Sequence, residues 1–167
     1  MAGAGQHIVK VRAATLADIR IVGRWGAELV SLHHGFDPQR FIQAGPGTPA
    51  KYASFIESQL VLPDVIVLVA EDEMSLLGYV YAANEGNDYM SLRGPAGVIH
   101  DIFVDPARRG QGIGGALLER AIEELGGKGA GLFVLATAYR NEAAQRLFAA
   151  VGFRPTMIEM TQSPRGT

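Results

Sequence analysis

One stretch constrains the fold more than any other: Asp105-Pro-Ala-Arg-Arg-Gly-Gln-Gly-Ile-Gly-Gly115, set between a β-rich apolar run, Val98 to Val104, and a helical pattern. That pattern places Ile113, Leu117, Leu118, Ala121, Ile122 and Leu125 on one side and is ended by Gly126, Gly127 and Gly129. A strand that passes through glycines into an amphipathic helix implies a sheet with that helix packed on it. The glycines also bring the backbone close to a ligand and expose amides at the helix start, which makes the turn a cradle for an anion. Arg108 and Arg109 add cationic donors beside it, so a phosphate or pyrophosphate is a natural guest. A glycine-rich turn carrying two solvated arginines accounts for the same residues without any ligand.

The rest of the chain supplies the sheet and its cover. Ile8 to Ala13 alternates apolar and basic residues like a half-buried strand, and Thr15 with Asp18 has the spacing of a capping box. Ile19, Val22, Trp25, Leu29 and Leu32 then recur at helical spacing. Gly35 to Pro49 is irregular, after which Tyr52, Phe55, Ile56 and Leu60 mark a second helix stopped by Pro63. Val65 to Glu71 and Leu76 to Ala83 predict an antiparallel hairpin, and Asn84 to Gly97 a long loop. Leu132 to Thr137 reads as a buried strand, Asn141 to Val151 as a short helix closed by Gly152, and Thr156 to Thr161 as a last strand. The fold class is α/β (α+β), with one mixed sheet carrying helices. A single domain over residues 1–167 is expected, its core running from about residue 8 to 161.

Composition narrows the function by exclusion. Charged residues make up 19% of the chain and the formal net charge is -2, which gives no footprint for nucleic acid. The chain has no cysteine, which removes disulfides, thiolate metal sites and cysteine nucleophiles and suits a reducing compartment. The first residues lack the pattern of a secretion signal, and the apolar run Val65 to Ala70 falls far short of the roughly 20 residues that span a bilayer. A cytoplasmic location without a membrane partner is the expectation. His33, His34 and Asp37 lack recognisable metal-ligand spacing, so no metal is expected.

Gly110, Gly112 and Gly115 satisfy the letter of the dinucleotide motif G-x-G-x-x-G, which makes a nicotinamide-dependent oxidoreductase a rival. That motif belongs early in a chain. Here it comes two-thirds of the way along, and the next strand ends in Thr137-Ala138 without an acidic residue for a ribose. Arg109-Gly-Gln-Gly-Ile-Gly114 instead resembles the acyl-CoA-binding motif Q/R-x-x-G-x-G/A of the GNAT family of N-acetyltransferases. Downstream, Asn141-Glu-Ala-Ala-Gln-Arg-Leu-Phe-Ala-Ala-Val-Gly-Phe153 is similar to that family's N-x-x-A-x-x-L-Y-x-x-x-G-F helix, except that Phe148 stands in the tyrosine position.

The resemblance implies a mostly antiparallel sheet of six to seven strands with about four helices, and acetyl-CoA as cosubstrate. It implies that Ile102, Phe103 and Val104 pair with the pantetheine arm. Gly110, Gln111, Gly112, Ile113, Gly114 and Gly115, with Arg109, would hold the pyrophosphate, and Asn141 would bond the passing arm. Asn141 also suits a helix N-cap. Acetyl transfer needs a neutral amine and hence a base. His100 stands where similar enzymes place a catalytic Glu or His, and its alternative is a core histidine holding one hydrogen bond. Asp101 is the alternative base, but strand alternation sends it to the opposite face from His100 unless a bulge intervenes. Phe148 cannot protonate the departing thiolate as the family's tyrosine does, and Tyr139 offers a phenol from another direction.

The implied acceptor is a small-molecule or peptide amine, and Glu85 and Asp88 could attract its charge. His33, His34 and Asp37 fall where similar enzymes shape the acceptor pocket. The family often forms homodimers. A module that binds acyl-CoA without catalysis remains the alternative, raised by Phe148.

Overall fold

The computed structural model describes residues 9–164; Ile8, where the first predicted strand begins, and the chain ends lie outside them. Five strands form one sheet in sequence order: β1 (Lys10–Ala13), β2 (Val65–Glu71), β3 (Leu76–Glu85), β4 (Ala96–Val104) and β5 (Phe133–Leu135). Neighbours from β1 to β4 are antiparallel, and β5 lies parallel to β4. Helices α1 (Ile19–Phe36) and α2 (Thr48–Gln59) cover one face, with Ile19, Val22, Trp25 and Ile56 packed on Val67, Val69, Tyr79 and Phe103. Helices α3 (Ile113–Gly127) and α4 (Glu142–Ala150) cover the other, where Ile113, Leu117, Leu118, Leu125 and Phe148 meet Leu68, Leu77, Val80 and Ile99.

The Thr15–Asp18 pair forms the side-chain half of a capping box, with the Asp18 carboxylate accepting the Thr15 amide at 2.8 Å. Arg12 on β1 donates to Asp18 at 2.7 Å and pairs with Glu71 on β2 at 2.8 Å, so one guanidinium joins two strands to the start of α1.

Two glycines set the distance between α1 and α2. A Cβ on Gly23 would lie 2.6 Å from the Pro49 carbonyl oxygen and 2.7 Å from the Ala53 Cβ, and one on Gly26 would fall within the Tyr52 ring. Glycine in a helix interior costs roughly 0.5–1 kcal/mol relative to alanine, and here it admits the backbone and side chains of α2.

Among the described residues the sheet has five strands rather than six or seven, and Thr156 to Thr161 is not a strand. This segment follows Pro155, which has no amide to donate. Its apolar residues bury no face, Ile158 being 81% exposed, so it lacks the one-sided burial that fixes a strand's register. Glu159 instead pairs with Arg40, and Ser163 donates to Gln39 at 3.1 Å, which tie the segment to the loop after α1.

Gly26→Ala should cost about 1–3 kcal/mol by overpacking against Tyr52, whereas Gly35→Ala, whose Cβ meets nothing within 4 Å, should be neutral or stabilising. Urea denaturation of the two variants checks this, and equal stabilities would refute the packing role of Gly26.

Candidate active site

Strand β5 pairs with β4 only through Gly97–Phe133, Val98–Val134 and Ile99–Leu135. Beyond Ile99 the two strands part, and among the described residues β4 continues with no strand on that side. A cleft of about 250 Å³ opens at the parting, reached by α1, α2, the loop that carries Phe41 and Ile42, and the start of α4.

Along β4, Ile99 pairs with Ala82 and Asp101 with Tyr81, so His100 is an extra residue in the ladder. The bulge reverses the alternation. Ile99 before it and Ile102 and Val104 after it all pack toward α3, while Phe103 packs against Trp25 of α1 at 6.0 Å. His100 stacks on Tyr81 at 5.1 Å and Asp101 meets Tyr52 of α2, so the two adjacent residues both line the cleft. This is the condition under which they can share a substrate.

Burial pushes the Asp101 carboxyl above its ordinary pKa, opposed by the Tyr52 hydrogen bond and by His100 and His33 nearby. Burial likewise raises the phenols of Tyr52 and Tyr79 and keeps them protonated. Tyr52 donates to Asp101 Oδ2, so in the 3.0 Å contact between the phenols Tyr79 must be the donor and the Tyr52 oxygen the acceptor. His100 Nε2 lies 2.7 Å from Glu85 Oε1, and Glu85 Oε2 also accepts from Arg93 at 3.0 Å. A carboxylate accepts only, so Nε2 carries the proton and Nδ1 the lone pair in the neutral ring. The same reasoning on the 2.9 Å contact of His33 Nδ1 with the Leu29 carbonyl leaves the lone pair on His33 Nε2.

Other groups singled out in the sequence fall in different places. Asn141 lines the cleft and caps α4 through Oδ1, which accepts the Ala144 amide at 3.2 Å and leaves its NH2 free to donate elsewhere. Phe148 lines the cleft and is buried against Phe153. Tyr139 is 93% exposed and lies outside the cleft. Asp88 bonds the Met90 and Ser91 amides of its own loop, His34 bonds the Phe41 carbonyl, and Asp37 the Gln39 and Arg40 amides. Arg108, expected beside the anion cradle, is held by the buried carboxylate of Asp72 in the β2–β3 turn. Arg109 bonds the Val104 carbonyl at 3.1 Å and lies over the Phe103 ring.

At the glycine turn, Gly110 and Gly112 have φ of +75° and +80°, which other residues adopt only under strain, and Cβ atoms there would meet nothing within 4 Å. Gly112 is the N-cap of α3 and brings no side chain to its first-turn amides. Tyr52 and the partner role of Glu85 were missed from sequence; the signal for Tyr52 was the pair Gly23 and Gly26, three apart on α1.

A carboxyl whose pKa is raised by folding loses stability as pH rises from the unfolded value of 3.8 through the folded one. Asp101→Asn removes that charge and keeps an acceptor for Tyr52. Its melting temperature should exceed that of wild type by about 2–4 °C at pH 8, or about 1 kcal/mol, with the gain shrinking toward pH 4. Melting curves at both pH values test it, and a lower melting temperature at pH 8 would refute it.

The profile of the acetyltransferase (GNAT) family matches residues 29–153. A mycothiol acetyltransferase of Thermobispora bispora is 35% identical over 96 residues, which is 55% of this chain and 31% of that protein. An L-methionine sulfoximine/L-methionine sulfone acetyltransferase of Salmonella typhimurium is 35% identical over 91 residues, 54% of this chain and 51% of that one. The matches thus span about half or less of these relatives. Among solved structures, a mutant Bacillus halodurans protein matches with a TM-score of 0.80 and 21% identity, covering 93% of this chain and 99% of that one. An aminoglycoside N-acetyltransferase in complex with CoA matches at 0.72 with 17% identity and 99% of both chains covered. At such identities the likeness is one of fold. The family profile runs from within α1 through the bulged strand, the glycine turn and α4, and the chain belongs to the acetyltransferase (GNAT) family.

Proposed function

We propose that the chain transfers an acetyl group from acetyl-CoA to a primary amine by direct attack of the amine on the thioester. The observation that carries this is the bulge at His100, which brings an imidazole and a half-buried carboxylate together where β4 and β5 part. Family membership supports the same reading, and the small molecules in the relatives' names favour a small-molecule acceptor over a protein chain.

The chain's residues fit acetyl-CoA. Gly110 and Gly112 leave space around their backbone, and the uncapped first turn of α3, with Gln111, Ile113, Gly114 and Gly115, offers amides for a pyrophosphate. Among the described residues no strand lies on the β5 side of Ile102, Phe103 and Val104, so an extended arm can pair along this edge, where the Val104 carbonyl already accepts from Arg109. The Asn141 NH2 can donate to that arm, and Phe148 forms an apolar wall of the cleft. When bound, acetyl-CoA supplies an acyl group activated as a thioester.

His100 Nδ1 takes the proton from the amine, because Glu85 holds the other ring nitrogen protonated. Asp101, fixed by Tyr52, holds the incoming ammonium beside it. Thiolate is a tolerable leaving group near neutrality, with a thiol pKa of about 8.5, so Phe148 in the tyrosine position is compatible with turnover. A β4–α3–β5 unit with parallel strands is the setting a dinucleotide motif requires, yet β5 leads into Ala136-Thr137-Ala138 and no carboxylate for a ribose.

Calorimetry with acetyl-CoA should show binding to the wild type and its loss in Gly112→Val, with circular dichroism confirming that the variant folds. Undiminished affinity in that variant would sink the cofactor assignment. In a thiol-release assay His100→Ala should lose about 10²- to 10⁴-fold in rate, and full turnover would move the proton to Asp101.

A further inference from the structure

We infer that the acceptor is an amine carried on an apolar body, with no carboxylate next to its nitrogen. The inference rests on the acetyl-transfer reading and adds the class of substrate. At the α1 and α2 end of the cleft, Leu29, Val30, Phe41 and Ile42 form an apolar wall, with Asp101 among the residues that line the same cleft. Burial of a hydrocarbon body against that wall supplies affinity without charge.

At this end of the cleft Asp101 and His33 both ask for a donor, whereas the donors Thr137 and Asn141 line the cleft from the chain after β5 and the start of α4. Asp101 Oδ2 accepts from Tyr52, and among the described residues nothing donates to Oδ1. His33, which also lines the cleft, keeps a lone pair on Nε2. An ammonium has the N–H groups that these acceptors lack, and it neutralises a carboxylate that burial makes costly to ionise.

Among the described residues of the cleft, no side chain with a fixed positive charge awaits an anion. No lysine or arginine is among the described residues that line the cleft. Arg40, beside Phe41, lies over the Phe41 ring and pairs with Glu159, and Arg140 donates to the Phe36 carbonyl. The carboxylate of an α-amino acid sits two bonds from its nitrogen, so it would be carried in beside Asp101 and lose its hydration with no cation to replace it.

A matched set tests this: 2-phenylethylamine, L-phenylalaninamide and L-phenylalanine, which share one ring and differ in the group beside the nitrogen. Thiol release with saturating acetyl-CoA should give kcat/KM for the amine and the amide at least about tenfold above that for the amino acid. Ile42→Arg, a change at an exposed cleft position, should narrow that gap by giving the carboxylate a partner. If acetyl-CoA binds and none of the three turns over, calorimetric titration of each into the coenzyme A complex should give the same ranking. L-phenylalanine equal to its amide in either measurement overturns the inference and leaves acetyl transfer standing. Absence of acetyl-CoA binding to the wild type overturns acetyl transfer, and the inference with it.

Discussion

The ladder between β3 and β4 gains one residue at His100, and the alternation of β4 changes phase there. Ahead of the bulge, Ile99 belongs to the core under α3. Behind it, Phe103 belongs to the core under α1, and Ile102 and Val104 keep the α3 side filled. Both cores therefore remain apolar although two polar residues stand side by side on one face. A regular strand would have pushed either His100 or Asp101 into the hydrophobic packing under α3, where neither would find a partner.

The second dependence runs through α1. Gly23 and Gly26 remove the side chains that would keep α2 away, and the space at Gly26 is taken by the Tyr52 ring, whose hydroxyl reaches Asp101. An ionised carboxylate out of water costs several kcal/mol, even after the protein relaxes around it. Tyr52, supported by Tyr79, and the imidazoles of His100 and His33 offset part of that cost. Helix packing and site electrostatics are in this way one arrangement, since the tyrosine that fills the gap between helices also orients the carboxylate.

Much of this was legible in the sequence, and the rest was hidden for definite reasons. The apolar stripes of α1 and α3 and the glycine turn follow from local spacing, so their elements fall where that spacing puts them. His100 and Asp101 could be named, but whether they share a face depends on pairing with Tyr81 and Ala82, about twenty positions away, and no local pattern encodes a bulge. Tyr52 looked like one more apolar position of α2 because its hydroxyl has meaning only against Asp101. Arg108 looked like an anion ligand because Asp72 lies far from it in the chain. The predicted strand at Thr156 to Thr161 failed for a related reason, since a short run with apolar residues does not make a strand where there is no face to bury.

The parting of β4 from β5 leaves part of the sheet's interior unfinished. From Asp101 to Val104, β4 is paired on its β3 side alone, so in the middle of the molecule it has the character of an edge strand. Whatever settles along that edge completes the hydrogen bonding that the chain's own sequence leaves open. A ligand that binds there to the folded chain alone would stabilise the fold as its concentration rises, doing for β4 what a longer β5 would do, and the empty chain would be the less finished form.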